Sequence, residues 1–228
     1  MLPPILLETP RFWVLDKPAG LAVHPGPKTP HSLEQLLPAG HAPVHRLDRD
    51  TSGCLMVGRR PSSTKGLMAL FAAGGVRKTY WAVLENLPDD QGQGFIDAPL
   101  AKISSRERGW RMIVSPDGKP ARTAWKLLAR QGAYALVEFR PETGRTHQLR
   151  VHANLIGPGT AIFGDPVYGK PHPAGMLLHA RSLTFTDPWE ETEKTVEAPC
   201  PDRFAIAGFS ADGLGHVPIN RIPKLASI

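Results

Sequence analysis

The 228-residue chain predicts an α+β protein built on a mixed, largely antiparallel sheet, and three observations carry that expectation. Short runs of alternating apolar and polar residues recur along it. Segments with a helical period are few. The 24 prolines and 22 glycines are spread from end to end instead of gathering in one tract, which marks many turns between ordered elements and not a disordered region. A chain of this length can bury a core in one large domain, or in one domain with a small appendage. With no repeat of solenoid type, residues 1–228 read as a single domain.

Taken in order, residues 11–15 and 21–24 read as short strands flanking the turn Lys17-Pro18-Ala19-Gly20, and residues 32–37 as a short helix. Residues 54–57 are an unbroken apolar run, the mark of a buried strand. A helix is expected over 62–73, where Leu67, Leu70 and Phe71 make an apolar face between a serine cap and the Gly74-Gly75 stop. Residues 79–84, 123–128 and 133–139 alternate as strands, with Tyr80, Ala82 and Leu84 on one face. Residues 146–156 turn helical again: Leu149, Ala153 and Ile156 share one face, and His147, Arg150 and Asn154 share another. Beyond Arg203 the pattern fades, and no element is assigned to residues 203–228.

The net charge is +6, and the excess is local. Between Lys102 and Arg130 eight basic residues stand against two acids, with Trp110 and Trp125 interleaved. A basic surface carrying aromatic bodies fits a nucleic-acid footprint, while the tryptophans themselves are expected to point into the core. No apolar window approaches the length of a membrane span, and Ile5-Leu6-Leu7 is too short for the core of a signal peptide. Cys54 and Cys200 make no disulfide framework. A cytoplasmic protein without a membrane partner is expected.

The chemistry concentrates in His45-Arg46-Leu47-Asp48-Arg49-Asp50-Thr51-Ser52-Gly53. Val44 and Leu47 are apolar, a buried strand follows, and Thr51-Ser52-Gly53 supplies a turn, so Asp48 is an acid wedged at the edge of a core. Burial raises a carboxylate's pKa and a neighbouring guanidinium lowers it again. An acid kept ionised in such a place suits a nucleophile or a base. A plain ion-pair turn made by Arg46, Asp48 and Asp50 accounts for the same composition.

Five further segments bear on that choice. Together with the His45 to Gly53 run they are Asp16-Lys17-Pro18-Ala19-Gly20-Leu21-Ala22-Val23-His24-Pro25, Lys78-Thr79-Tyr80, Thr143-Gly144-Arg145-Thr146-His147-Gln148-Leu149-Arg150-Val151-His152, Gly164-Asp165-Pro166-Val167-Tyr168-Gly169 and Leu177-Leu178-His179-Ala180. In this order, over residues 12–200, they resemble the RluA group of pseudouridine synthases. The resemblance implies an enzyme that isomerises uridine in RNA, on a long bent sheet with an RNA-binding cleft across its middle. It implies no cofactor, metal or energy source.

Asp48 matches the family's catalytic aspartate, Arg150 its arginine partner and Tyr80 the active-site tyrosine, which can stack on a flipped base and take part in the final C5 deprotonation. Leu178 resembles an apolar residue packing near the target base. Arg150 is expected to hold Asp48 ionised and to fix its rotamer by bidentate pairing. Arg46, Arg145 and His147 are assigned to RNA binding, Arg46 by stabilising the displaced strand and Arg145 by a phosphate contact. Ribosomal RNA and transfer RNA are both open as substrates. A monomer with no obligatory protein partner is expected, and its catalytic domain itself binds RNA, since there is no room before residue 11 for the small N-terminal RNA-binding domain of many relatives. Residues 156–162 are longer and richer in glycine than the family's usual turn.

Two other readings stand beside this one. The first is an RNA-binding protein without catalysis. The second is a metal-dependent hydrolase using His41, His45, Asp48, Asp50, His147, His152, His172 and His179. In the second, His147 and His152 are five apart, which misses the four-residue spacing that sets two imidazoles on one helical face.

Overall fold

In the computed structural model, which describes residues 1–26, 29, 31–105 and 109–210, the alternating segments pair into one sheet of eleven strands and a separate two-stranded hairpin. In chain order the strands are β1 (Ile5–Glu8), β2 (Phe12–Lys17), β3 (Ala42–Pro43), β4 (Ser52–Gly58), β5 (Val76–Glu85), β6 (Gln93–Asp97), β7 (Leu100–Ser105), β8 (Gly109–Val114), β9 (Arg122–Gln131), β10 (Tyr134–Pro141), β11 (Ala161–Ile162), β12 (Leu178–Thr186) and β13 (Glu193–Glu197). The helices are α1 (Pro61–Ala72) and α2 (Gln148–Ala153). The sheet runs β1-β2-β4-β12-β5-β10-β9-β6, with β3 added to β4, β11 to β5 and β13 to β12, while β7 and β8 form the hairpin.

These pairings are antiparallel except for β4 with β12, which meet in parallel over two residue pairs, His179 with Ser52 and Ala180 with Gly53. The short parallel joint requires Gly53. Its φ is +106°, and a Cβ there would run into the Ala180 carbonyl, so no other residue lets the strands approach this closely.

Strand periodicity divides the core. On one side Phe12, Val14 and Met56 pack with Leu67 of α1 and Phe185. On the other, Trp13, Leu15, Leu55 and Val57 pack with Val23, Leu33 and Leu47. Ala82, Leu84, Val137 and Phe139 form a further cluster with Leu149 and Ala153 of α2. Tyr80 packs against both of the last two clusters and so lies where they meet.

Several local expectations are corrected. Residues 21–24 form no strand: Ala22 makes a single bridge to Ser32, and Pro25 offers no amide for a ladder to continue. Residues 32–37 give only a 3₁₀ turn, Glu34–Leu36. Helix α1 starts on Pro61 with Arg60 as its cap and no side-chain cap bond, because a proline at the first position loses no hydrogen bond. Helix α2 is shorter than residues 146–156. His147 sits in the left-handed region at φ 54°, so the helix begins at Gln148, and it closes through short turns before Gly157-Pro158-Gly159. Leu149 and Ala153 face the core with Ile156 packed against them, as their spacing predicts. Arg150, on the other face, is buried as well.

Trp125 is core, whereas Trp110 is 46% exposed on β8, against expectation. The hairpin presents Trp110 outward because Leu100 and Met112 fill its apolar contact with Val151 and Tyr168. Arg106, Glu107 and Arg108 of the basic segment, and residues 211–228 of the tail, lie outside the described residues. Among the described residues no helix is long and apolar enough to cross a membrane.

Candidate functional site

The loop before β4 is held at four points. His45 accepts the Met56 amide at 2.9 Å and stacks on Phe71. Leu47 is buried in the core. The Thr51 amide closes a turn on the Asp48 carbonyl, and the Arg49 carbonyl accepts from the Gly20 amide and from Lys17 Nζ. Lys17 is wholly buried and also donates to the carbonyls of Pro18 and Leu21 at 2.8 Å, so its ammonium ties two loops together. Burial pulls its pKa down to about 7, with Asp50 opposing the shift. Burial likewise lowers His45 to about 3, so the imidazole is neutral and can accept from Met56.

Between these anchors the Asp48 carboxylate faces a cleft of about 560 Å³. Its Oδ2 lies 3.3 Å from Arg150 Nη1 and 3.8 Å from His147 Nε2. No described residue bonds its Oδ1. The two oxygens are therefore unequal: one is anchored, and the other has no partner among the described residues. Arg150 is placed beside Asp48 as expected, but its bidentate bond goes elsewhere. Nε and Nη2 donate at 2.7 and 2.8 Å to Asp165, a wholly buried carboxylate that also accepts the amides of Val167 and Tyr168. Burial pushes the Asp165 carboxyl up, but the Arg150 guanidinium and the two amides outweigh it and hold the group below 3.8. Asp48 thus receives a single bond from an arginine already oriented by another acid.

Tyr80 and Leu178, paired strands apart on β5 and β12, line the same cleft. Burial, aided by the Asp48 charge, pushes the Tyr80 hydroxyl above its ordinary value. Buried Gln148 sets the far wall: it accepts from the Thr143 hydroxyl and the Arg145 amide, and donates to β9 at the Arg122 carbonyl and Thr123 hydroxyl. An acid, an arginine and a tyrosine from three distant segments converge here on an open cleft with basic rims.

Residues 11–155 match the family model described as RNA pseudouridylate synthase. The chain belongs to this family. It is 46% identical over 206 residues to an uncharacterized RNA pseudouridine synthase of Zymomonas mobilis, covering 86% of this chain and 93% of that protein. It is 36% identical to ribosomal large subunit pseudouridine synthase D of Nitrosomonas europaea, covering 95% of this chain and 67% of that one. With synthase C of Escherichia coli O157:H7 it shares 36% identity over 87% of this chain and 66% of that protein, so it spans about two thirds of these ribosomal enzymes. The solved structure of human RNA pseudouridylate synthase domain containing 4 superposes with a TM-score of 0.71 at 25% identity, covering 89% of this chain and 90% of that one.

In this pseudouridylate synthase family member the other expected residues occupy the cleft rim. Arg46 is exposed and forms no ion pair among the described residues; the local pair is Arg49 with Asp50. Arg145 is exposed, with Nε on the Pro120 carbonyl. His147 stands beside Asp48. The remaining histidines named for a metal site are scattered: His152 bonds Thr123 and the Ala98 carbonyl, and His179 bonds Ser52. Among the described residues no three His, Cys, Asp or Glu side chains converge on a metal position.

Sequence reasoning quoted Asp165, Tyr168 and Lys17 within motifs but gave them no role. The available signal was weak. Asp165-Pro166 announces a turn, yet only the fold shows that this aspartate has to meet a buried arginine.

Proposed function

We propose that this protein is an RNA pseudouridine synthase acting on ribosomal or transfer RNA, with Asp48 as its reacting carboxylate. The observation that carries the reading is the half-paired Asp48: an anion anchored by Arg150 through one oxygen, with no described partner on the other, in a cleft that Tyr80 also lines. In the reaction the N1 to C1′ bond of uridine breaks, a C5 to C1′ bond forms, and the proton lost from C5 is balanced by one gained at N1. No electrons are transferred. The target atom is inaccessible in a stacked helix, so the uridine has to be flipped into the cleft. Tyr80, whose hydroxyl burial keeps protonated in the resting site, takes the stacking and orienting role and is the candidate to receive the C5 proton. Arg46 and Arg145 take phosphates at opposite rims, and Leu178 packs near the base. In this reading the protein works in the cytoplasm as a monomer.

Pseudouridine mapping of total RNA from a deletion strain tests the proposal. One or a few sites are expected to vanish and to return with the wild-type gene. If no site changes and the purified protein still binds RNA, the non-catalytic reading replaces this one. The names of the ribosomal relatives make large-subunit ribosomal RNA the first place to look.

The basic rims make a second prediction. If Arg46, Arg145, Lys102, Arg111 and Lys119 neutralise about five phosphates of single-stranded RNA, log affinity falls with log salt at a slope of about −3.5, roughly a hundredfold between about 50 and 200 mM. Fluorescence anisotropy of a labelled RNA across that range checks it, and a flat response counts against these contacts.

A further inference from the structure

His147 joins the β7–β8 hairpin to the candidate site, and its surroundings determine where its proton lies. Its Nδ1 is 2.9 Å from the Tyr168 hydroxyl, and that hydroxyl oxygen accepts the Met112 amide of β8, also at 2.9 Å. Its Nε2 points at Asp48 Oδ2, 3.8 Å away. Trp110 of the hairpin stacks on the imidazole at 4.9 Å between centroids, with Lys102 over the indole. The Tyr168 ring is itself packed under the Arg150 guanidinium at 5.1 Å, and the Asp165 turn fixes its backbone.

Two independent counts of protons give the same tautomer. The Tyr168 oxygen already accepts from Met112, and its own proton has one acceptor among the described residues, His147 Nδ1. A neutral imidazole whose Nδ1 accepts carries its hydrogen on Nε2. The opposite tautomer would leave the tyrosine proton without an acceptor among the described residues and turn the Nε2 lone pair against the Asp48 anion. We propose that Tyr168 is a positioning residue, which fixes His147 as the Nε2–H tautomer aimed at Asp48 and ties that state to the seating of the β7–β8 hairpin. This rests on the reading of Asp48 as the reacting group.

The imidazole stays neutral because its own ring is largely buried. Burial lowers the His147 pKa, with Arg150 and Arg46 acting in the same direction and Asp48 and Asp165 opposing. Burial also keeps the Tyr168 hydroxyl protonated. With Arg150 Nη1 already on Oδ2, a second donor aimed at the same oxygen reinforces the division between an anchored and a reacting oxygen. RNA that grips Lys102, Trp110 and Arg111 seats the Met112 amide, and through Tyr168 it sets the proton that faces Asp48.

The test is nitrogen NMR of the full-length protein labelled with ¹⁵N-histidine, with the His147 signals assigned by their loss in His147→Phe. The expected wild-type spectrum has Nδ1 at the unprotonated position and Nε2 at the protonated one. In Tyr168→Phe a mixture of tautomers is expected. Single-turnover tritium release from total RNA labelled with [5-³H]uridine should then fall about tenfold or more, with RNA affinity changed less than about twofold. A wild-type Nδ1–H tautomer overturns the proposal without recourse to any variant. So does a folded Tyr168→Phe protein with an unchanged tautomer. If the wild type releases no tritium at all, the synthase reading fails while the tautomer result still stands on its own.

Discussion

Asp48→Asn is expected to abolish isomerisation and leave a folded protein that binds RNA as well as the wild type. Losing the reacting group of such a site costs about four orders of magnitude or more in rate, and the amide has neither the charge nor the nucleophilicity to replace it. Folding should survive, because Arg150 keeps both of its short bonds to Asp165 when Asp48 is neutralised. The lost pair is also a single 3.3 Å contact, weaker than the two short bonds that stay. Tritium release, a thermal melt and RNA anisotropy on the same preparation read the three effects together. Substantial activity in Asp48→Asn would remove Asp48 from the chemistry.

Asp165→Asn is expected to do the opposite first. It leaves a buried guanidinium without its bidentate partner, and breaking a buried pair from one side costs about 3–5 kcal/mol. Chemical denaturation measures this loss directly, and a change below about 1 kcal/mol would show that Arg150 does not depend on Asp165.

A pH dependence follows from the same pair. The folded state holds the Asp165 carboxyl below its ordinary 3.8, so it binds fewer protons than the unfolded chain. Its stabilising contribution is complete above that value and is lost as pH falls below it, through the lower folded pKa. Wild-type stability should therefore drop in this acid range, and the drop should be shallower in Asp165→Asn. Two aspartates on one arginine thus differ in place: one lines the cleft, and the other holds the arginine.

Most of the strands were legible in the sequence because the core is written in a period of two. Residues 54–57, 79–84 and 123–128 fall inside observed strands, and 133–139 does so from Tyr134 onward, since alternate or continuous burial selects which residues a strand can carry. The Asp48 loop was legible as well, because apolar flanks and a Thr-Ser-Gly turn are local signals. Local reasoning failed where a neighbouring residue restrained the backbone: Pro25 ended a strand before it began, and His147 in a left-handed conformation delayed α2.

By itself, the sequence determined the α+β class, the run of strands, the segments that carry the site and the family they resemble. Only the tertiary structure decided which partner each charge takes. Arg150 is 102 residues from Asp48 and 15 from Asp165, and neither separation says which acid receives the fork. The fold sets the Asp48 loop against Arg150 of α2 with one carboxylate oxygen unpaired among the described residues, while the turn after Gly164 places Asp165, wholly buried, on the same guanidinium. A guanidinium has five donors and can serve two anions. The better-buried acid, deprived of water, takes the short bonds because it has no other way to stay ionised.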